Sequence, residues 1–144
     1  MNTKILFLDR LKFGKHKFMN GTEGYGRQHL NPDGTVGGWV AETALVDDTC
    51  YIGPKAEVYE YAQVHGNAKV LGETEIRGFA QVRGDATIDG FSTITDEVLV
   101  EGSAFIDSAN LGGRSHIDFG IVDDDEFWEY LIQVKNIKVR VRKT

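Results

Sequence analysis

Every sixth residue from position 40 is valine or isoleucine: Val40, Val46, Ile52, Val58, Val64, Val70, Ile76, Val82, Ile88, Ile94, Val100 and Ile106. Two positions before them stand Gly38, Ala44, Cys50, Ala56, Ala62, Ala68, Thr74, Ala80, Ala86, Ser92, Val98 and Ala104, all small except Val98. Two positions after them glycine recurs, at Gly66, Gly72, Gly78, Gly84, Gly90 and Gly102. The unit is small-x-(Val/Ile)-x-Gly-x. An amphipathic helix needs apolar residues at i, i+3, i+4 and i+7, which this period does not supply. The small-x-aliphatic pair has strand alternation, so both side chains face inward, and the glycine serves a corner that tolerates positive φ. One such unit buries nothing by itself. The units must stack into a solenoid.

This pattern resembles the hexapeptide-repeat superfamily of left-handed parallel β-helices, in which three hexads make one triangular coil of eighteen residues. The resemblance spans residues 37–117. The lead-in Gly37-Gly38-Trp39-Val40 is most similar to phage and prophage proteins whose hexads follow a GGWV stretch. Left-handedness is implied by the resemblance and is an exception to the usual crossover rule. Folded at eighteen residues, the aliphatics form three interior columns: Val40/Val58/Ile76/Ile94, Val46/Val64/Val82/Val100 and Ile52/Val70/Ile88/Ile106. Cys50 falls on a small inward position. From Ile106 to Leu111 the step is five residues (111 − 106), so a corner residue is lost and the last coil should be distorted.

Both ends of an open β-helix need caps. Residues 1–36 are expected to form the N-terminal cap, with KILFL (4–8) and LKF (11–13) as strands and NPDGT (31–35) as a turn. Residues 118–144 are expected to form the C-terminal cap. Asp123 to Glu126 followed by Phe127, Leu131 and Val134 reads as a short helix with acids at its N-terminus. IKVRVRK (137–143) reads as a final strand, pairing with the N-terminal segment or with another chain, and its basic face is the one positive cluster.

Hydrophobic content of 41% and charged content of 26% place the chain among globular proteins. The net charge of −6 argues against nucleic acid, whose binding rests on neutralising phosphates. One cysteine permits no intrachain disulfide and no cysteine cluster. The apolar run before Asp9 is too short for a signal segment or a membrane span, so a cytoplasmic protein with no membrane association is expected.

The resemblance implies two chemistries. Many members are CoA-dependent acyltransferases in which an exterior histidine acts as general base. The candidate is His65. Residues eighteen apart lie about 4.8 Å apart on adjacent coils. Asp47, His65, Arg83 and Glu101 therefore form one exterior column, with Asp47 placed to orient the imidazole and Arg83 opposing its charge. Against transfer stand the hexads from 40 to 106, which contain no inserted loop, and NLGGRSHIDFG, which matches a CoA-binding turn only at Gly112-Gly113. His116 falls on an outward position with no partner evident. A related branch, the γ-type carbonic anhydrases, holds zinc with three histidines. His65 and His116 are 51 residues apart (116 − 65), and His16 and His29 lie outside the hexads, so no metal site is expected. Arg83-Gly84-Asp85 is a corner of the repeat rather than an adhesion loop, and Gly24-Tyr25-Gly26 lacks the context of a phosphate loop.

On the exterior, Thr43, Tyr61 and Phe79 stack at one corner, with Phe91 at another, and Tyr59 lies beneath Arg77 at cation–π distance. Leu45 and Leu99 share a column with Gln63 and Gln81, and Tyr51 and Phe105 one with Lys69 and Thr87. Trimerisation, usual in the superfamily, would bury some of these. The leading expectation is thus a non-catalytic binding or structural protein, phage-type and homotrimeric, with no cofactor. It would act on a host protein or ligand through Asp47, Arg77, Arg83, Tyr59, Tyr61 and Phe79. The alternatives are an acyltransferase using a CoA thioester with His65 as base, and a sponge that sequesters a small anionic metabolite between subunits through Arg77, Arg83 and His65.

Overall fold

The computed structural model describes residues 11–123 and, as backbone elements, 127–134 and 137–142. KILFL lies outside the described residues. Three longer strands come first among the described residues: β1 (Phe13–Lys17), β2 (Glu23–Leu30) and β3 (Val36–Ala41). The hexads then lay down β4 (Leu45–Val46), β5 (Tyr51–Ile52), β6 (Glu57–Val58), β7 (Gln63–Val64), β8 (Lys69–Val70), β9 (Glu75–Ile76) and β10 (Gln81–Val82). They continue with β11 (Thr87–Asp89), β12 (Thr93–Ile94), β13 (Leu99–Val100), β14 (Phe105–Asp107), β15 (Asn110–Leu111), β16 (His116–Ile117) and β17 (Ile121–Asp123). Last come β18 (Phe127–Val134) and β19 (Ile137–Arg142).

Every third short strand joins the same sheet. The orders are β1-β2-β3-β6-β9-β12-β15, β4-β7-β10-β13-β16 and β5-β8-β11-β14-β17, with β18-β19 as a separate hairpin. From β3 onward the pairing within the three large sheets is parallel, which makes the chain a parallel β-helix. The register reproduces the interior columns: Val40 pairs Val58, Val46 pairs Val64 and Ile52 pairs Val70. From Ile52 to Ile106 every column aliphatic is fully buried, as are Cys50, Ala56, Ala62, Ala68, Ala80 and Ala86. Burial of one such aliphatic side chain stabilises by about 1.5–3 kcal/mol, and stacking repeats that gain along the axis. Burial also pushes the Cys50 thiol up to about 11.

The corners explain the glycines. Gly66, Gly72, Gly78, Gly84, Gly90 and Gly102 all have φ between 65° and 72°. Glu60, Asp96 and Ser108 occupy the same place in their hexads and adopt φ of 58°, 55° and 51°. Two of these pay back the strain, since Glu60 and Asp96 use their carboxylates to accept the corner N–H of the coil below, Gly78 at 2.9 Å and Gly113 at 2.7 Å.

The lost corner residue is real. Ile94 pairs Leu111, a step of 17 (111 − 94) instead of eighteen. A second residue is lost farther on, because Ile106 pairs Val122, a step of 16 (122 − 106). The stacking thus continues past Ile117 to β17.

The helix expected after Asp123 is not formed. Residues 127–134 are the strand β18, antiparallel to β19, and no helix occurs among the described residues. Phe127, Trp128, Tyr130, Ile132 and Val134 favour strand, and the i, i+4, i+7 spacing of Phe127, Leu131 and Val134 was a weaker signal. The strand expected at 137–143 is present over Ile137–Arg142, and its partner is β18.

The first coil is capped differently on each face. On the first, β2 pairs antiparallel with β3, and the turn at 31–35 joins them. The LKF stretch contributes only Phe13, as the first residue of β1. On the third, no strand lies above β5 among the described residues, and a side chain replaces it. The Asn31 amide accepts from Ile52 N–H at 2.8 Å and donates to Ile52 C=O at 3.0 Å, which mimics a paired strand. His29 Nε2 lies 2.8 Å from the Cys50 carbonyl. On the second face β4 is the terminal strand of its sheet. A cavity of about 720 Å³ opens there, bordered by Phe13, Tyr25, Arg27, Ala44, Leu45 and Val46.

Candidate functional site

Outward residues of the second sheet stand in files, because the register holds Leu45, Gln63, Gln81, Leu99 and His116 in line. Two positions on, the column Asp47, His65, Arg83, Glu101 is assembled as expected, but its members pair off. Asp47 Oδ1 lies 3.1 Å from His65 Nδ1, and its Oδ2 accepts the Gly66 corner N–H at 2.9 Å. That N–H bond, with the His65 contact second, holds the Asp47 carboxyl below its ordinary value. Asp47 thus does for the Gly66 corner what Glu60 and Asp96 do for theirs.

His65 meets a second side chain. Its Nε2 lies 2.9 Å from Gln63 Oε1. With Asp47 on one nitrogen and Gln63 on the other, the ring has no lone pair directed at an acceptor substrate. A general base needs that lone pair within hydrogen-bond reach of the proton it takes. Gln63 would have to turn away first. Strand alternation places it beside His65, two residues earlier on the same face, a contact that the eighteen-residue columns do not show.

Arg83 faces away from His65. Its Nε donates to Glu101 Oε1 at 3.1 Å, and His116 Nε2 meets Glu101 Oε2 at 2.5 Å. Burial works to raise the Glu101 carboxyl, but the His116 and Arg83 hydrogen bonds outweigh it and hold the group below its ordinary value. His116 is buried and partnered, contrary to the exposed, unpaired residue expected. The 17-residue step from Leu99 to His116 (116 − 99) places it beside the end of the charge column.

Tyr59 and Arg77 do not make the expected cation–π stack. Tyr59 is buried at 1% exposure and its ring stacks on Phe18 at 4.8 Å. Its hydroxyl donates to Glu75 Oε1 at 2.5 Å, and Arg77 Nε donates to the same oxygen at 3.0 Å. Burial, then the Glu75 carboxylate, raise the phenol above its ordinary value. Tyr59 is therefore a core residue under the cap, and Glu75 was the unseen link. Trp39, from the GGWV lead-in, packs on the same side, with His16 stacked on it at 4.2 Å.

Tyr61 and Phe79 are brought together as expected. Their rings stack at 5.4 Å with 9° between planes, at 58% and 63% exposure. Below them a groove of about 630 Å³ runs between two coils. Phe91 is also exposed, at its own corner. Among the described residues no group of three or more His, Cys, Asp or Glu side chains converges as a metal site would, and no helix is long and apolar enough to cross a membrane. The chain matches no family model, no curated protein and no solved structure.

Proposed function

We propose that this chain is a non-catalytic β-helical binding protein, phage-type and trimeric, that works in the cytoplasm through its outer faces on a partner protein or ligand. The observation that carries the reading is the stacked, exposed Tyr61–Phe79 pair above a groove whose bordering charges already have partners. Such a surface is built for contact rather than for proton transfer. The phage-type affiliation rests on the Gly37-Gly38-Trp39-Val40 lead-in. The trimer is supported by Leu45, 57% exposed at the end of its file, and by the half-buried Leu99 in the same file. Sedimentation should give three times 16.0 kDa, 48 kDa, and Leu45→Glu should reduce the mass to that of one chain. A single 16.0 kDa species at all concentrations would count against the trimer.

One observation favours an acyltransferase instead: the 3.1 Å approach of Asp47 to His65 Nδ1, the contact that orients a catalytic imidazole. Under that reading acetyl-CoA raises the melting temperature, and His65→Ala abolishes turnover of an amine or hydroxyl acceptor. No thermal shift and no turnover would exclude it. The anion sponge draws less support, because Arg77 is held by Glu75 and Arg83 by Glu101.

A further inference from the structure

The groove beside Phe79 is bordered by Gln81 and Arg83 of one coil and by Glu97, Val98 and Leu99 of the next. Its charges are matched within the protein: Arg83 lies 3.1 Å from Glu101, and Glu97 lies 3.2 Å from Arg114. A charged ligand would have to compete with a partner already in place. The Gln81 amide makes no hydrogen bond to another described residue, so its two donors and its acceptor are open to a ligand. Phe79 offers one exposed ring face, and stacking on Tyr61 braces that ring.

These features describe the ligand. One apolar face must lie on the Phe79 ring, and a polar edge must both donate and accept without carrying net charge. Nucleic acid fits poorly, since its phosphates require free cations that the groove lacks. We propose that this groove binds a neutral pyranose sugar. Its C–H face rests on Phe79, its hydroxyls meet the Gln81 amide, and the unused N–H and oxygen positions of Arg83 and Glu97 complete the ring of polar contacts. The proposal rests on the outer-face reading above and names a ligand class for it.

The test is a titration of the full-length chain with the methyl pyranosides of glucose, galactose, mannose and N-acetylglucosamine, followed by amide and side-chain NMR shifts. At least one should move the Gln81 side-chain NH₂ and the Phe79 and Leu99 amides, with little dependence on salt. Phe79→Ala should weaken binding roughly five- to tenfold, the scale of an aromatic stacking contact, and Phe79→Trp should retain it. Gln81→Ala, at a half-buried surface position that leaves the core untouched, should weaken it about fivefold. Shifts with none of the four sugars would overturn the proposal. So would shifts at these residues with adenosine or inorganic phosphate but not with the sugars, or sugar binding that Phe79→Ala leaves unchanged. Failure of the broader reading looks different. It is a single 16.0 kDa species at all concentrations, whatever the sugars do, whereas a 48 kDa assembly (3 × 16.0 kDa) that Leu45→Glu dissociates, with no shift from any sugar, leaves the outer-face reading standing without the sugar site.

Discussion

Replacing Asn31 with alanine should destabilise the fold far more than a turn residue ordinarily would. Asn31 is 2% exposed, and its amide makes the two bonds to Ile52 that a paired strand would make. The substitution removes the acceptor 2.8 Å from Ile52 N–H and the donor 3.0 Å from Ile52 C=O. Leaving a buried backbone group unpaired costs about 1–3 kcal/mol. Two such groups give about 2–6 kcal/mol. A cavity of about 440 Å³ beside Asn31 and Asp48 gives water a route to them, so the lower half of that range is expected. The melting temperature should fall by roughly 6–12 °C for a loss of about 2–4 kcal/mol.

Asn31→Asp separates hydrogen bonding from packing. It keeps the acceptor for Ile52 N–H but sets a carboxylate oxygen against the Ile52 carbonyl. Only the protonated acid can donate there, so the folded state raises the carboxyl pKa. The stability it contributes is present when the group is protonated and is lost as pH rises through that raised pKa. Relative to the wild type, the aspartate variant should therefore recover in acid, whereas the alanine variant should not. Urea unfolding at pH 7 and pH 4.5, with hydrogen exchange at the Ile52 amide, reads both effects. If Asn31→Ala stays within about 0.5 kcal/mol of wild type, the size of an ordinary surface substitution, and the Ile52 amide keeps its protection, the capping account is refuted.

Gly38→Ala should fail to fold or lose more than about 3 kcal/mol, because an added Cβ would lie 1.7 Å from the Ala56 carbonyl oxygen. Wild-type circular dichroism and melting behaviour in that variant would contradict this reading of the lead-in glycines. Thr74→Val should stabilise by about 1–2 kcal/mol, since the Thr74 hydroxyl is buried without a hydrogen-bond partner. A lower denaturation midpoint would show that the hydroxyl has a use unseen in the structure. Burial lowers the His29 pKa from 6.5. A base depressed in the folded state supplies stability that is present above its unfolded pKa and is lost as pH falls from 6.5 through the lowered value. His29→Gln, which can still donate to the Cys50 carbonyl, should flatten the stability curve below pH 6.5. An unchanged slope between pH 6.5 and 5 would remove His29 as its source.

Much of the interior was legible in the sequence. Column membership from Val40 to Ile106 follows because a strand of two inward residues and a glycine-type corner can repeat only by stacking. The corner φ values follow from the glycines themselves, and Glu60, Asp96 and Ser108 are found by counting hexads. The outer surface was legible only as neighbours. The period put Asp47 beside His65 and Tyr61 beside Phe79, and both contacts exist. It did not say which of several neighbours a long side chain would choose. Arg83 chose Glu101 over His65, Tyr59 turned inward to Phe18 and Glu75, and Gln63 took the nitrogen a base would need.

The sequence by itself determined the parallel β-helix, its columns and the corner lost before Leu111. A period repeated this many times leaves one way to bury the aliphatics, and stacking enforces it coil after coil. The tertiary structure decided how the repeat ends and how its surface charges pair. Asn31 caps Ile52 from 21 residues away, and Glu101 collects both Arg83 and His116. The C-terminal aromatics became a hairpin rather than a helix. Ends and surfaces have no period. Their contacts are single events between residues distant in the chain, and the choice between competing hydrogen-bond partners is made only once the backbone has brought them together.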